Sequence, residues 1–302
     1  MSGLIIGVDA GGSKTFVIVA RDGIEAGRAT GSGAKMRSGK GIGCATTIAE
    51  VARRALAAAG VMRADVLVAG VAGAGREQER DELRQALRSE GLAERVIVTG
   101  DTEIALAAAF EERPGIVVTA GTGSMAVARD SFGRLHRAGG YGWQMGDEGS
   151  GYAIGRSALG AVGRAADGRS PRTELTALLL TTTRSENLES LVRWAAAATV
   201  PEVAALAPSV FRAAVAGDTI AAGIMDYAAR ELSGLVLKLL PHFGVDERSQ
   251  VDVATNGGLL FHDSPLYRML HTKLAEEPRI RFRDTPLEAA FGAIHLASRP
   301  VK

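Results

Sequence analysis

The sequence predicts an α/β chain of two lobes, each a mixed sheet with helices packed on it. Three observations carry that prediction. First, Leu4-Ile-Ile-Gly-Val-Asp-Ala-Gly-Gly-Ser-Lys-Thr15 followed by Phe16-Val-Ile-Val-Ala20 is an apolar strand, a short polar tip and a returning apolar strand, which makes a hairpin. Second, the same unit recurs further along: Gly115-Ile-Val-Val-Thr-Ala120, the tip Gly121-Thr-Gly-Ser124, and Met125-Ala-Val-Ala128. Third, strand and helix patterns alternate after the first hairpin, the order of a sheet covered by helices. At 302 residues the chain is long for one core and comfortable for two.

The elements follow in order. Residues 24–30 read as a third strand, and the Gly/Ser/Lys loop 31–43 leads into an Ala-rich helix at 45–59. Residues 65–70 form an apolar strand of the kind covered on both faces. A charged amphipathic helix spans 77–90, a short strand 96–99, and a helix 102–110. The first lobe closes at 114 and the second, 115–285, repeats the plan. Its helices fall at 150–165, 185–198, 203–216 and 218–240. The polar, Gly-rich stretch 164–173 reads as its mobile loop. Pro286 opens a last helix at 287–297, a position that suits proline.

Composition bounds the function. The apolar fraction of 46% and charged fraction of 23% are those of an ordinary globular protein. A formal net charge of +1 offers no field for nucleic acid or an anionic membrane. No apolar run reaches the ~18 residues of a membrane span, and the N-terminal strand carrying Asp9 does not read as a signal peptide. The single Cys44 excludes an internal disulfide and fits a reducing cytoplasm. The five histidines show no ligand spacing, and one cysteine cannot complete a zinc site. Arg53-Arg54 and the basic stretch 279–283 alternate with apolar residues and read as exposed faces of a helix and a strand.

The hairpin tips carry the chemistry. Gly11 and Gly12 let backbone N–H groups approach an anion, and Ser13, Lys14 and Thr15 bring hydroxyls and a cation to the same tip. Asp9 would repel phosphate directly, so it suits a hydrated Mg²⁺. Gly-x-x-x-x-Gly-Lys-Ser/Thr is absent, so this is not a P-loop. A hairpin with turn glycines and no function remains the plain alternative. Gly121, Thr122 and Gly123 form the second tip, and two such tips would grip a nucleotide's phosphates. Near the C-terminus Val251-Asp-Val-Ala-Thr-Asn-Gly-Gly-Leu259 is a strand ending in Asn256, Gly257 and Gly258, where bare backbone admits an adenine or ribose. Asp101 follows the strand 96–99, where open α/β sheets carry their sites, and also stands where an N-cap would stand.

In this order and spacing the three segments resemble the phosphate-1, phosphate-2 and adenosine motifs of the actin/hexokinase/Hsp70 superfamily, whose lobes have a ribonuclease H-like fold. Gly139-Gly-Tyr-Gly-Trp-Gln-Met-Gly-Asp-Glu-Gly-Ser-Gly-Tyr152 resembles the block that marks the N-acetylglucosamine kinases. That group is classed with the dehydratase-activating ATPases as the BadF-BadG-BcrA-BcrD family. The resemblance covers essentially the whole chain. It implies an ATP- and Mg²⁺-dependent kinase for an amino sugar, acting at the 6-hydroxyl, with Asp101 as general base. It places Asp147 on sugar hydroxyls, with Lys35, Ser124, Met125, Gly140, Tyr141 and Gly142 around the sugar. It also implies a homodimer whose last helix, 286–298, packs back on the first lobe.

Alternatives stay open at several positions. Asp147, assigned to the substrate, has a charged helix start as its plain alternative; Glu148 reads as structural or beside the metal, and Tyr141 or Trp143 offers a stacking face or is core. The family's two sugar-binding asparagines are replaced by the run Ala34-Lys35-Met36 and by Met125, which removes two amide partners and shifts the expected sugar. Lys35 meets either solvent or an anionic group on the substrate. The dehydratase-activating ATPase is the second reading. Its [4Fe–4S] cluster takes two cysteines from each of two subunits, which one cysteine per chain cannot supply. A binding module without catalysis is the third.

Overall fold

The computed structural model describes residues 3–244, 250–283 and 285–297. The chain divides into two compact units, Met1–Arg113 with Leu287–Lys302, and Pro114–Pro286. Pro114 and Pro286 thus both group with the second unit.

The first unit holds β1 (Leu4–Ala10), β2 (Lys14–Arg21), β3 (Ile24–Ser32), α1 (Gly41–Ala58), β4 (Ala64–Val71), α2 (Glu77–Ser89), β5 (Ala93–Gly100) and α3 (Asp101–Phe110). Its sheet order is β3-β2-β1-β4-β5, with β1–β2 and β2–β3 antiparallel and β1–β4 and β4–β5 parallel. Ile6, Val8 and Ala10 of β1, with Val17 and Val19 of β2, bury one face against α1. The alternate residues face the other way, where glycine sets the distance. A methyl group on Gly7 would lie 2.5 Å from the Ala290 carbonyl oxygen, and one on Gly70 would lie 2.3 Å from Ile104 Cδ1 of α3.

The second unit repeats the sheet plan. It contains β6 (Gly115–Ala120), β7 (Ser124–Arg129), β8 (Leu135–Gly139), α4 (Gly151–Ala166), α5 (Leu175–Thr183), α6 (Leu188–Ala197), α7 (Val200–Ala204), α8 (Ala207–Val215) and α9 (Thr219–Leu239). A 3₁₀ turn (Leu240–Phe243), β9 (Val251–Asn256), α10 (Pro265–Leu274) and β10 (Ile280–Phe282) complete it. The sheet order is β10-β9-β6-β7-β8, again an antiparallel meander flanked by parallel strands. The last element, α11 (Ala289–Ala297), packs on α3 and β1 of the first unit. Gly292 permits this, because a methyl there would fall 1.8 Å from the Ile104 carbonyl oxygen. Gly292→Ala is therefore expected to destabilise the first unit by about 3 kcal/mol, as overpacked core sites do. An unchanged denaturation midpoint would contradict that packing.

Several boundaries differ from those the periodicity predicts. The expected helix 203–216 is two helices. Thr199 and Glu202 form a capping box that starts α7 early, and Pro208 in the first turn of α8 marks a new start. The helix expected from 185 starts at Leu188, because Asn187 and Ser190 cap it reciprocally. The helix expected from 45 starts at Gly41, since Glu82 of α2 accepts the Gly39 and Gly41 N–H groups at 3.0 and 2.6 Å. The last helix starts at Ala289, three residues after Pro286, and Ser298 lies outside the described residues. Residues 164–166 belong to α4. Two further helices, α5 and α10, carry no counterpart in the sequence reading. Among the described residues no single helix is long and apolar enough to cross a membrane.

Candidate active site

In the first unit the candidate residues converge on the C-terminal ends of the parallel strands. Asp9 pairs in register with Gly70, and Gly70 with Thr99, one residue before Gly100 and Asp101. Because Gly70 has no side chain, α3 lies close to the sheet. Asp9 points to the α3 face, the face of Gly7, so the first turn of α3 brings Asp101 near it. Both acids are half-buried. Burial, reinforced by the Asp101 charge and opposed by Lys14, pushes the Asp9 carboxyl up to about 6. Burial also holds Asp101 above the ordinary carboxylate range, against the Thr102 N–H, its own N–H and Lys35.

Asp101 is not the N-cap. Gly100 occupies that position, and Asp101 is the first helical residue, its Oδ1 accepting the Thr102 N–H at 3.0 Å. The carboxylate thus stands at the positive end of the helix it begins.

The first tip divides by strand alternation. Gly12, Ser13 and Lys14 are exposed and Gly11 is half-buried, its N–H donating to the Lys14 carbonyl at 2.9 Å. Thr15 departs from the expectation of a tip hydroxyl. It opposes Ala10 and shares the face of Val17 and Val19, so it is fully buried on the α1 side, away from Asp9. Its hydroxyl has no hydrogen-bond partner among the described residues. The loop after β3 is laced to the tip: the Ala34 N–H donates to the Gly11 carbonyl at 3.0 Å and the Met36 N–H to the Ala72 carbonyl at 2.8 Å. Gly73, at φ +87°, allows this, since a methyl there would meet the Met36 carbonyl oxygen at 2.2 Å. Ala34 and Met36 are buried and Lys35 between them is exposed.

The second unit gathers the other candidates at the corresponding strand ends. Thr119 of β6 pairs in register with Asn256 of β9. Gly257, at φ +93°, turns the chain so tightly that a methyl would meet the Ala120 carbonyl oxygen at 2.4 Å, and the Leu259 N–H donates to that oxygen at 3.1 Å. The tip Gly121 to Gly123 sits on the N-terminus of α4, with the Gly121 carbonyl accepting the Gly151 N–H at 2.8 Å.

The glycine-rich block 139–150 folds over β7. Gly139, Gly140, Gly142 and Gly149 all have positive φ, and so does Asp147 at +61°. Asp147 is consequently no helix start: α4 begins at Gly151 under a Ser150 cap. Asp147 Oδ1 accepts the Gly142 N–H at 3.3 Å, and its Oδ2 lies 2.7 Å from where a methyl on Gly123 would stand. Met125 covers Gly140 in the same way, at 3.1 Å. Ser124 departs from its expected role toward the substrate. Its hydroxyl is buried and donates to the Glu148 carbonyl at 2.6 Å, which ties the block to β7. Tyr141 and Trp143 are not core: they are 63% and 44% exposed. Trp143 leans on Tyr152 and Tyr141 carries the Arg137 guanidinium over its ring.

The structure thus collects Asp9, Gly11, Gly12, Ser13, Lys14, Lys35 and Asp101 in one unit. It collects Gly121, Thr122, Gly123, Ser124, Met125, Gly140, Tyr141, Gly142, Asp147, Asn256, Gly257 and Gly258 in the other. Two supports were not legible in the sequence. Glu82 reaches the 39–41 backbone from a distant helix, and Gly73 was one glycine among many. Cys44 lies buried in α1, its thiol donating to the Ala34 carbonyl at 3.2 Å and pushed up to about 11, chiefly by burial.

A sequence model of the BadF/BadG/BcrA/BcrD ATPase family matches residues 6–297. The chain belongs to that family. Two relatives are similar to it over about three quarters of their lengths. An N-acetylmuramic acid/N-acetylglucosamine kinase of Clostridium acetobutylicum is 34% identical over 76% of this chain and 75% of its own length. An N-acetyl-D-glucosamine kinase of Dictyostelium discoideum is 30% identical over 76% of this chain and 73% of its own. Among solved structures, a Chromobacterium violaceum protein assigned as an N-acetylglucosamine kinase is 25% identical, with a TM-score of 0.79 over 98% of this chain and 99% of that one. The fold also extends to a Streptomyces griseus glucokinase, 17% identical with a TM-score of 0.60 over 97% of this chain and 99% of that one.

Proposed function

We propose that this chain is an ATP-dependent kinase that phosphorylates an amino sugar at its 6-hydroxyl, with Asp101 as the general base. The observation that carries the reading is the pair of half-buried acids at the strand ends of the first unit, Asp9 and Asp101, both held above their ordinary range. A general base works best when its pKa approaches the working pH, and a raised carboxylate is a stronger base than an ordinary one. The relatives supply the substrate class, since both are named for N-acetylated amino sugars.

Each group then has a task. Asp101 accepts the proton of the sugar hydroxyl as that oxygen bonds the γ-phosphorus, while the bond from the γ-phosphorus to the β,γ-bridging oxygen breaks and ADP leaves. Gly12, Ser13 and Lys14 present N–H groups, a hydroxyl and a cation to phosphate oxygens, and Thr122 and Gly123 a hydroxyl and N–H groups, while the Gly11 and Gly121 N–H groups close their tips on the Lys14 and Gly123 carbonyls. Asn256, Gly257 and Gly258 receive the adenosine. Asp147 accepts hydrogen bonds from sugar hydroxyls, with Gly140 and Gly142 giving the sugar room and Tyr141 an exposed ring face.

Mg²⁺ fits the residues present. Asp9 is a hard oxygen donor whose burial and neighbouring acid disfavour its charge, a burden that a dication removes. Among the described residues no group of three His, Cys, Asp or Glu side chains could hold a metal, so the ion would draw its other oxygens from water and phosphate, as Mg²⁺ commonly does. When bound, it neutralises phosphate charge. The test is a coupled ADP-release assay with glucosamine, N-acetylglucosamine, N-acetylmuramic acid, N-acetylmannosamine, glucose and no sugar. Stimulation by an amino sugar above the sugar-free rate is expected. Equal release in every well would overturn the reading.

A further inference from the structure

The helix α2 carries none of the residues assigned to the reaction, yet two of its side chains hold the segments around the base. Glu82 accepts the Gly39 and Gly41 N–H groups at the end of the loop after β3. Arg80 reaches the other way: its Nε donates to the Ala74 carbonyl at 2.9 Å and its Nη2 to Glu103 Oε1 of α3 at 2.7 Å. The Arg80 and Glu103 side chains are only 25% and 30% exposed, so water and salt screen this pair less than a surface pair. The two bonds cross the sheet at the C-terminal ends of its parallel strands. Leu83 and Leu87 place α2 on the face of Ala69 and Val71 of β4, whereas Gly70 of the same strand faces α3.

The turn that Arg80 reaches is the one that carries Asp101. That helix has no side-chain cap, because its N-cap is Gly100. An uncapped first turn leaves N–H groups without partners and frays readily. A Glu three residues after the N-cap can fold back on the N-cap N–H, and Glu103 stands at that position, but its Oε1 pairs with Arg80. The other end of the guanidinium is equally placed. Ala74 follows Gly73, which packs against the Met36 carbonyl oxygen, and the Met36 N–H donates to the Ala72 carbonyl at 2.8 Å. One side chain therefore joins the turn of the base to the segment that carries the loop 34–36.

We propose that Arg80 is a positioning residue, which through Glu103 fixes the first turn of α3 and aims Asp101 at the acceptor hydroxyl. The proposal rests on the kinase reading above, with Asp101 as the base, and adds the residue that orients it. Arg80 takes no part in the proton transfer. A planar guanidinium suits the task, since its fork holds two segments at once with charge-assisted bonds. Misplacing a reacting group by about 1 Å can lower a rate about 100-fold, so a loosened first turn costs turnover while the phosphate-binding tips stay intact.

The experiment measures kcat with the preferred amino sugar, and ATP affinity by calorimetry, in the full-length wild type, Arg80→Ala, Glu103→Ala and the double variant. Each single variant is expected to lose about 10-fold or more in kcat, with ATP affinity near the wild-type value. The double variant is expected to be no slower than the slower single one, because both substitutions remove the same tie. Equal kcat in wild type and Arg80→Ala overturns this proposal and leaves the kinase reading standing. So do single losses that multiply in the double variant, and so does a loss of kcat matched by an equal loss of ATP affinity, which a general loosening of the unit would produce. Where Arg80→Ala does not fold, Glu103→Ala decides by the same two readings. A wild type that phosphorylates no amino sugar overturns both.

Discussion

Asp101→Asn is expected to lower sugar-dependent ADP release by about 10²–10⁴-fold, the usual contribution of a positioned general base. ATP affinity, measured by calorimetry on the same variant, is expected to stay near the wild-type value. The substitution is close to isosteric: an asparagine oxygen can still accept the Thr102 N–H that Asp101 accepts at 3.0 Å, so the start of α3 is kept. What is lost is the capacity to take a proton. The pH profile gives a second readout. The base must be ionised to act, so the wild-type kcat/KM is expected to fall as pH drops through the Asp101 pKa. Burial sets that limb above the ordinary carboxylate range. An Asp101→Asn enzyme that turns over normally would remove Asp101 from the chemistry.

Asp9→Asn is expected to abolish sugar-dependent turnover and, at neutral pH, to raise the stability of the ligand-free protein. The two effects share one cause. In the folded chain the Asp9 carboxyl titrates at about 6, against an ordinary 3.8. Below 3.8 it is protonated in folded and unfolded chains alike. Between the two values the folded chain binds more protons, so stability falls as pH rises, and above about 6 the full cost is present. Two pKa units correspond to about 3 kcal/mol at most. Thermal melts should therefore show the variant several degrees above wild type at pH 8, with the gap closing below pH 4. Mg²⁺ should stabilise the wild type and leave the variant unmoved. A gap independent of pH would show that the carboxyl carries no burial cost.

Much of this was legible in the sequence because the signals were local. The hairpin Leu4 to Ala20, the second hairpin at Gly115 to Ala128 and the Asn256-Gly257-Gly258 turn all announce themselves by apolar runs ending in glycine. The residues that were misplaced depend on facts with longer reach. Thr15 sits one position past Lys14, and a single step along a strand changes the face, which turns a tip hydroxyl into a buried one. Ser124 looked free because its acceptor, the Glu148 carbonyl, arrives from a loop 24 residues away. For Asp147, assigned to the substrate, it is the alternative of a helix start that fails, because its positive φ belongs to a turn that only the folded block requires. The helix α10 did carry a readable signal, a Ser264 cap followed by Pro265. The helix α5 ends in Thr181, Thr182 and Thr183, which blurs its pattern with that of a strand.

The most direct test of the central claim is ³¹P NMR of the products formed from ATP and the preferred amino sugar. Phosphorylation at the 6-hydroxyl predicts a new phosphomonoester resonance split by the two methylene protons of C6, growing as ADP grows and absent with Asp101→Asn. Inorganic phosphate and ADP as the only products would contradict the account and make the protein an ATPase. A resonance coupled to a single proton would keep the kinase and move the acceptor to a ring hydroxyl.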